Sequence, residues 1–296
     1  MIWDELDARL NALPGTVSAY AGRVDAPPTW TRRPDATHYA ASTMKVAVLL
    51  ALHRATEAGT LDLDAPVEVR NEFDSALPGA PRFACARHYD NDEAVWERES
   101  GHVPLRWLAE RMIVRSSNLA TNLCLRHVGL PAVADAWAIA GARHSVTGRG
   151  IEDFAAREAG ITNLVTAADL AALLGGLAAG ATRPGPLASP AGCTAMLDVL
   201  FAQEFREDLA AGLPDGVRVA HKNGWVRGVR HGAGVVYPPD APPYVLVVCT
   251  TGDPAGGEAA DDTCRLLADI SARVWAARHD LRPAAAGPPA GHDTDR

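Results

Sequence analysis

Apolar residues recur along this chain with two different periods, and the places where the period changes divide it into three. Ile2, Leu6 and Leu10 fall at helical spacing, and TVSAYAG and PTWTRR, separated by DAPP, follow as short strand-like stretches. A long helical middle begins at Ser42. Its first segment, to about Ala58, is apolar at Val46, Leu49 and Leu50 and stops at Gly59; PLRWLAERMIV opens on a proline suited to a first helical turn and repeats at Leu105, Leu108 and Met112. LATNLCLRHVG, PAVADAWAIAG, TAADLAALLGGL and SPAGCTAMLDVLFAQEF continue the pattern, the last with Ser189 as cap and Pro190 as first helical residue. After LPDG the texture returns to β. VRVAH, GAGVVYP and YVLVVCTTG are β-branched runs bounded by glycine and proline, and EAADDTCRLLADISARVWAAR closes the pattern as an amphipathic helix.

Strands at both ends with helices between them predict an α/β protein of the α+β sandwich kind. An antiparallel sheet is assembled from both termini, flanked by helices, with an inserted all-α subdomain. On this reading residues 1–41 and 214–280 form one subdomain, residues 42–213 the helical one, and residues 281–296, rich in proline, glycine and alanine, a disordered tail. The catalytic cleft is expected between sheet and helices. Residues 71–102 form a polar connection long enough to be a lid or rim.

Composition narrows the partners. A chain of 296 residues, 48% hydrophobic, has enough apolar surface for a full core, and its net charge of −8 argues against nucleic-acid and anionic-membrane surfaces. Small molecules or peptides remain, and a monomer is expected. MIWDELDARLNALPG carries acids where a secretory signal needs a basic start, and no segment is long and apolar enough to span a bilayer, so the expectation is a cytoplasmic protein. The five cysteines have no C-x-x-C spacing and read as reduced, mostly buried thiols. No metal or organic cofactor is called for: His88, Asp90, Asp92 and His102 lie in the long connection at irregular spacing and read as a solvated loop.

The basic residues carry the decisive signal. Of 28, only Lys45 and Lys222 are lysines; the rest are arginines. Lysine can give up its proton when desolvated, whereas a guanidinium cannot, so a lone lysine in an arginine-using chain reads as a base. Ser42 lies three residues before Lys45, on the same face of a starting helix whose N–H groups and positive dipole end stabilise developing negative charge. Ser116-Ser117-Asn118 falls between two predicted helices, and His221-Lys222-Asn223-Gly224 follows a predicted strand. A solvated lysine beside a helix cap is the bland alternative, and three motifs in order outweigh it.

In these residues, and from about residue 2 to residue 277, the chain resembles the penicillin-recognising serine hydrolases, class A β-lactamases in particular, with their S-x-x-K, S-D-N and K-T-G motifs. The resemblance implies Ser42 as nucleophile, Lys45 as its base, Ser116 as proton relay to the leaving nitrogen and Asn118 as holder of the substrate's side-chain amide. It further implies that Lys222 eases charge near Ser116, that the backbone N–H groups of Ser42 and Trp225, the residue after Gly224, form an oxyanion hole, and that Arg230 binds a substrate carboxylate. Three departures stand out. Ser117 replaces an aspartate, Asn223 replaces a threonine whose hydroxyl would meet the substrate carboxylate and partly substitutes for it by donating an amide N–H, and the E-x-x-L-N deacylation motif is missing. Glu152, with Glu158 behind it, is the nearest carboxylate and reads either as deacylation base or as an exposed acidic turn. His221 could tune Lys222; His231 reads as structural. The expected activity is cyclic amide hydrolysis through an acyl-enzyme. The alternatives are an intracellular esterase, amidase or acyltransferase, and an acylated sensor without turnover.

Overall fold

A computed structural model describes residues 2–252 and 260–283. Helix α1 (Ile2–Asn11) leads into strands β1 (Thr16–Arg23), β2 (Trp30–Arg32) and β3 (His38–Tyr39), a 3-10 turn at Ala41–Met44, and helix α2 (Lys45–Glu57). Next come β4 (Pro66–Glu68), α3 (Glu93–Trp96), β5 (His102–Pro104), α4 (Leu105–Val114), α5 (Asn118–Val128) and α6 (Leu130–Ile139). β6 (Val146–Thr147), α7 (Phe154–Glu158), β7 (Asn163–Val165), α8 (Ala167–Gly180) and α9 (Pro190–Phe201) precede β8 (Arg218–Val226), β9 (Val229–Tyr237), β10 (Tyr244–Thr251) and α10 (Ala260–Ala276).

The main sheet runs β2-β1-β10-β9-β8, antiparallel throughout, so the first strands of the chain sit beside the last. Alternation along β10 separates two cores. Tyr244, Leu246 and Val248 join Leu6 and Leu10 of α1 and Leu267 and Ile270 of α10; Val245, Val247 and Cys249 join the layer of α2, α8 and α9. Helix α2 is central to that second layer. Every side chain from Lys45 to Leu52 is buried, Ala47, Val48 and Leu52 included, so it is covered on all sides, where the spacing predicted a one-sided apolar stripe. Full burial of a leucine such as Leu49, Leu50 or Leu52 contributes roughly 1.5–3 kcal/mol.

Caps close the helices where the sequence placed them. Ser189 accepts from Gly192 N–H with Pro190 at the first helical position. Pro104 differs slightly: it ends β5 and caps α4, one residue outside the helix. The region between the sheet halves also holds strand pairs, β4 with β5 and β6 with β7, alongside its helices. Of the tail expected from residue 281, Leu281 is buried in the α1–α10 core and the Arg282 N–H donates to Thr29 Oγ1 at 2.7 Å; residues 284–296 lie outside the described residues. No described helix is long and apolar enough to cross a membrane, and all five cysteines are buried.

Candidate active site

Ser42 occupies the 3-10 turn that opens into α2, immediately after Ala41, whose φ of 45° lies in the left-handed region. The turn is pinned: Ala40 N–H donates to Asn163 O at 3.0 Å and Thr43 Oγ1 to Ala40 O at 2.7 Å. Strand β8 passes so close that a Cβ on Gly224 would lie 2.7 Å from Ser42 N and 3.0 Å from Thr43 N. Only glycine lets the strand reach the Ser42 turn. The sequence placed the lysine motif after a strand; it lies inside β8, which runs through to Val226.

Lys45 is wholly buried. Its Nζ donates to Ser116 O (2.7 Å), Asn118 Oδ1 (3.2 Å), Ser116 Oγ (3.3 Å) and Ser117 O (3.4 Å). Burial pushes its pKa down to about 8, against an opposing pull from the Asp90 charge. Lys222, also wholly buried, approaches the same hydroxyl from β8: Nζ lies 3.1 Å from Ser116 Oγ, 2.8 Å from Asn223 O and 3.3 Å from Asn223 Oδ1. Burial, with the neighbouring Lys45 charge added to it, holds this amine well below the ordinary lysine range. Ser116 Oγ thus sits between two amines whose protons are loosened, and one hydroxyl both accepts and donates.

That hydroxyl is placed by an unusual backbone. Ser116 has φ 57°, a conformation that costs a non-glycine residue about 1 kcal/mol or more and is held here by Lys45 on its carbonyl and by the next residue. Ser117 N–H donates to Arg111 O at 3.2 Å, and Ser117 Oγ caps α5 by accepting from Ala120 N–H at 3.1 Å. The hydroxyl in turn donates to Asp90 Oδ2 at 3.0 Å, and Leu119 N–H donates to the same oxygen at 2.8 Å. An acid absent from the motif is supplied by the 71–102 connection.

That connection is therefore no solvated loop at Asp90 or Asp92. Asp92 is buried and bound by Arg111, with Nη2 to Oδ1 at 2.6 Å. The same segment donates Ala86 N–H to Glu152 Oε2 at 2.9 Å, and Tyr89 O accepts from Asn118 Nδ2 at 3.1 Å. Glu152 is half-buried, with φ 67°. Its Oε1 is buried and unpartnered among the described residues, and burial pushes its pKa up. The preceding residue is clamped: Ile151 N–H donates to Asn122 Oδ1 and Asn122 Nδ2 to Ile151 O, each at 2.8 Å. Asn122 stands four residues after Asn118 on α5, a helical spacing legible in the sequence but not singled out there.

Ser42, Asn118, Glu152 and Trp225 line one cavity of about 480 Å³, walled further by Tyr39, Tyr89 and Phe154. Other sequence candidates lie outside it. Arg230 is buried; its Nη2 lies 2.8 Å from Glu207 and 3.3 Å from Asp208, and its guanidinium stacks 4.9 Å from the Trp225 ring, so its charge is already matched. Arginines that do line the cavity are Arg149, Arg157 and Arg227, none of which the motif pattern marked. Asn223 is fully buried and does not line the cavity; Nδ2 donates to Phe205 O at 3.3 Å and Oδ1 accepts from Lys222 Nζ. Glu158 is exposed and does not line the cavity. His221 is buried with both ring nitrogens unpartnered among the described residues, and burial beside Arg206 and Lys222 takes its pKa down to about 3; it carries no charge to Lys222 at neutral pH. His231 is structural: Nδ1 accepts from Thr250 N–H (3.1 Å), which leaves Nε2 to donate to Tyr39 O (2.8 Å). No group of His, Cys, Asp and Glu among the described residues could hold a metal ion.

Residues 1–277 match the model of the beta-lactamase enzyme family. Among solved structures, the chain is similar to a beta-lactamase from Sphaerobacter thermophilus, with 25% identity over 95% of this chain and 99% of that one and a TM-score of 0.75. PBP-A matches at 22% identity and TM-score 0.76, covering 95% and 96% of the two chains, and an ancestral class A beta-lactamase at 21% and 0.76, covering 94% and 100%. No curated protein sequence is matched.

Proposed function

Because the chain belongs to the beta-lactamase enzyme family, we propose that it is a serine hydrolase that opens cyclic amides of the β-lactam type through an acyl-enzyme on Ser42. The observation that carries the reading is the Ser116 hydroxyl, held between the only two lysines of the chain.

In the acylation step, neutral Lys45 accepts the Ser42 proton as Oγ bonds to the carbonyl carbon. The displaced electron pair moves onto the carbonyl oxygen, which is met by the N–H groups of Ser42 and Trp225. The C–N bond then breaks. Its electron pair stays on nitrogen, which takes the Ser116 proton, and Ser116 is reprotonated from Lys45, leaving that amine neutral again. In deacylation Glu152 removes a proton from a water that attacks the ester carbon; the carbon–Oγ bond breaks and the proton returns to Ser42 Oγ. Glu152 lines the same cavity as Ser42, and its placement there supports this assignment.

The test is an intact-mass and absorbance time course with a chromogenic cephalosporin. The wild type is expected to turn it over with a transient adduct, and Ser42→Ala to give neither. Colour from Ser42→Ala at the wild-type rate overturns the reading; the absence of colour and adduct from the wild type moves the substrate to a non-cyclic ester or amide.

A further inference from the structure

The cavity of Ser42 has a charge opposite to that of the molecule. The chain carries −8, yet the cavity lining holds one carboxylate, Glu152, and three arginines. Arg149 is buried and committed, its guanidinium donating to Ile161 O and Gly150 O at 3.1 Å and to the Tyr39 hydroxyl at 3.2 Å. Arg157 of α7 and Arg227 of the β8–β9 turn are different: both are exposed, and neither forms an ion pair among the described residues. Some exposed arginines elsewhere have carboxylate partners, as Arg82 has Asp74 and Arg143 has Asp35, and others, Arg33 and Arg206 among them, form no ion pair among the described residues; what sets Arg157 and Arg227 apart is that they line the cavity of Ser42. Apolar surface gathers at the same place. Of the four large hydrophobic residues exposed among the described residues, Tyr89, Phe154 and Val226 line this cavity and only Val146 does not.

Free cations beside exposed aromatic and branched side chains make a surface for an amphiphilic anion, because apolar walls favour a flat or branched body and lower the local dielectric around the charge it carries. Resting on the hydrolase reading above, we infer that the substrate carries a second anionic group on its acyl substituent, joined to the scissile amide by an aromatic or branched apolar body. Arg157 and Arg227 receive that group, while Tyr89, Phe154 and Val226 receive the body. This is a specificity distinct from the opening of the amide, which needs neither arginine.

Two chromogenic cephalosporins test it, identical in a phenyl-bearing acyl group that ends in a carboxylate in one and in the corresponding primary amide in the other. In the wild type at low ionic strength kcat/KM is expected to be about fivefold higher for the carboxylate, the ratio shrinking as salt is added. In the Arg157→Ala/Arg227→Ala double variant the ratio is expected to be close to one. A wild-type ratio at or below one, or a ratio unchanged in the double variant, overturns the inference. Dissociation constants of both compounds for Ser42→Ala, with and without the two arginine substitutions, keep the answer readable without turnover. Absence of any adduct on the wild type with either compound defeats the hydrolase reading, whereas the ratio of dissociation constants still decides the anion preference.

Discussion

Asp90 and Ser117, 27 residues apart, share one hydrogen bond of 3.0 Å, with the serine hydroxyl donating to the carboxylate. Together they replace a single aspartate of the family motif: the serine caps α5 and the distant acid holds the serine and the Leu119 N–H. Asp90→Ala should therefore lower kcat/KM by about 10- to 100-fold and loosen the Ser116 turn. It should also move the rising limb of the pH profile. The Asp90 charge raises the Lys45 pKa, so its removal lets Lys45 become neutral at lower pH. A loss of rate with an unmoved limb would assign Asp90 to structure alone.

Lys45 should govern the acid limb of acylation. With its pKa near 8, the neutral amine is the minor form below that value, and kcat/KM should climb close to tenfold per pH unit until it levels near pH 8. Lys45→Arg should abolish turnover, by 10³-fold or more, because guanidinium keeps its proton at any accessible pH. Stopped-flow acylation rates across pH 5.5 to 9.5 test both statements.

Glu152→Gln should separate the two halves of the reaction. The amide keeps the length of the side chain but cannot take a proton from water, so acylation should change less than tenfold while the Ser42 ester accumulates and persists for minutes or longer. Mass spectrometry of the quenched reaction reads this directly; a variant that deacylates at the wild-type rate would remove Glu152 from the chemistry.

Gly224→Ala should damage the Ser42 turn without removing a reactive side chain. Its new Cβ would press on Ser42 N and Thr43 N, and overpacking of this kind costs about 1–3 kcal/mol. The expected outcome is a lower unfolding midpoint together with a loss of kcat. Of the two proposed oxyanion donors, the Ser42 N–H is at the point of contact and the Trp225 N–H belongs to the next residue of β8.

Acid should destabilise the fold through a buried histidine pair. The rings of His38 and His231 pack edge to face at 5.5 Å, and burial, reinforced at His38 by its partner, lowers both pKa values from 6.5 to about 4. The unfolded chain therefore binds protons that the native state refuses. Stability from this source is complete above pH 6.5 and is lost as pH falls toward 4, on the order of 3 kcal/mol for each ring. Urea midpoints at pH 7 and pH 4.5 should differ accordingly; replacing both rings by glutamine should remove the share of this pair and leave that of buried His221, whose pKa also lies far below 6.5, at about 3.

Much of this site was legible because its chemistry is local. Ser42 and Lys45 are one helical turn apart, Ser116 and Asn118 flank a helix start, and the scarcity of lysine singled out Lys45 and Lys222. What escaped the sequence depends on distance along the chain. Arg230 reads as a carboxylate binder until Glu207 and Asp208, 23 and 22 residues earlier, are found to occupy it. Asp90 reads as solvated because nothing in its own segment announces Ser117. Asn223 reads as a substrate donor because a strand residue's side chain has two possible faces, and only packing against Phe205 decides between them. Periodicity specifies elements and short motifs, while the pairing of charges across loops is a property of the assembled layers.

The antiparallel pairing of β1 with β10, Thr16 opposite Thr251 and Arg23 opposite Tyr244, has a temporal consequence. The sheet that brings Lys222 to Ser116 is stitched shut by its last strand, so a nascent chain owns every catalytic residue well before it owns a catalyst. Two fragments cut within the helical middle would each carry part of the sheet and neither a working site. Activity in this molecule thus reports that the beginning and the end of the polypeptide have met.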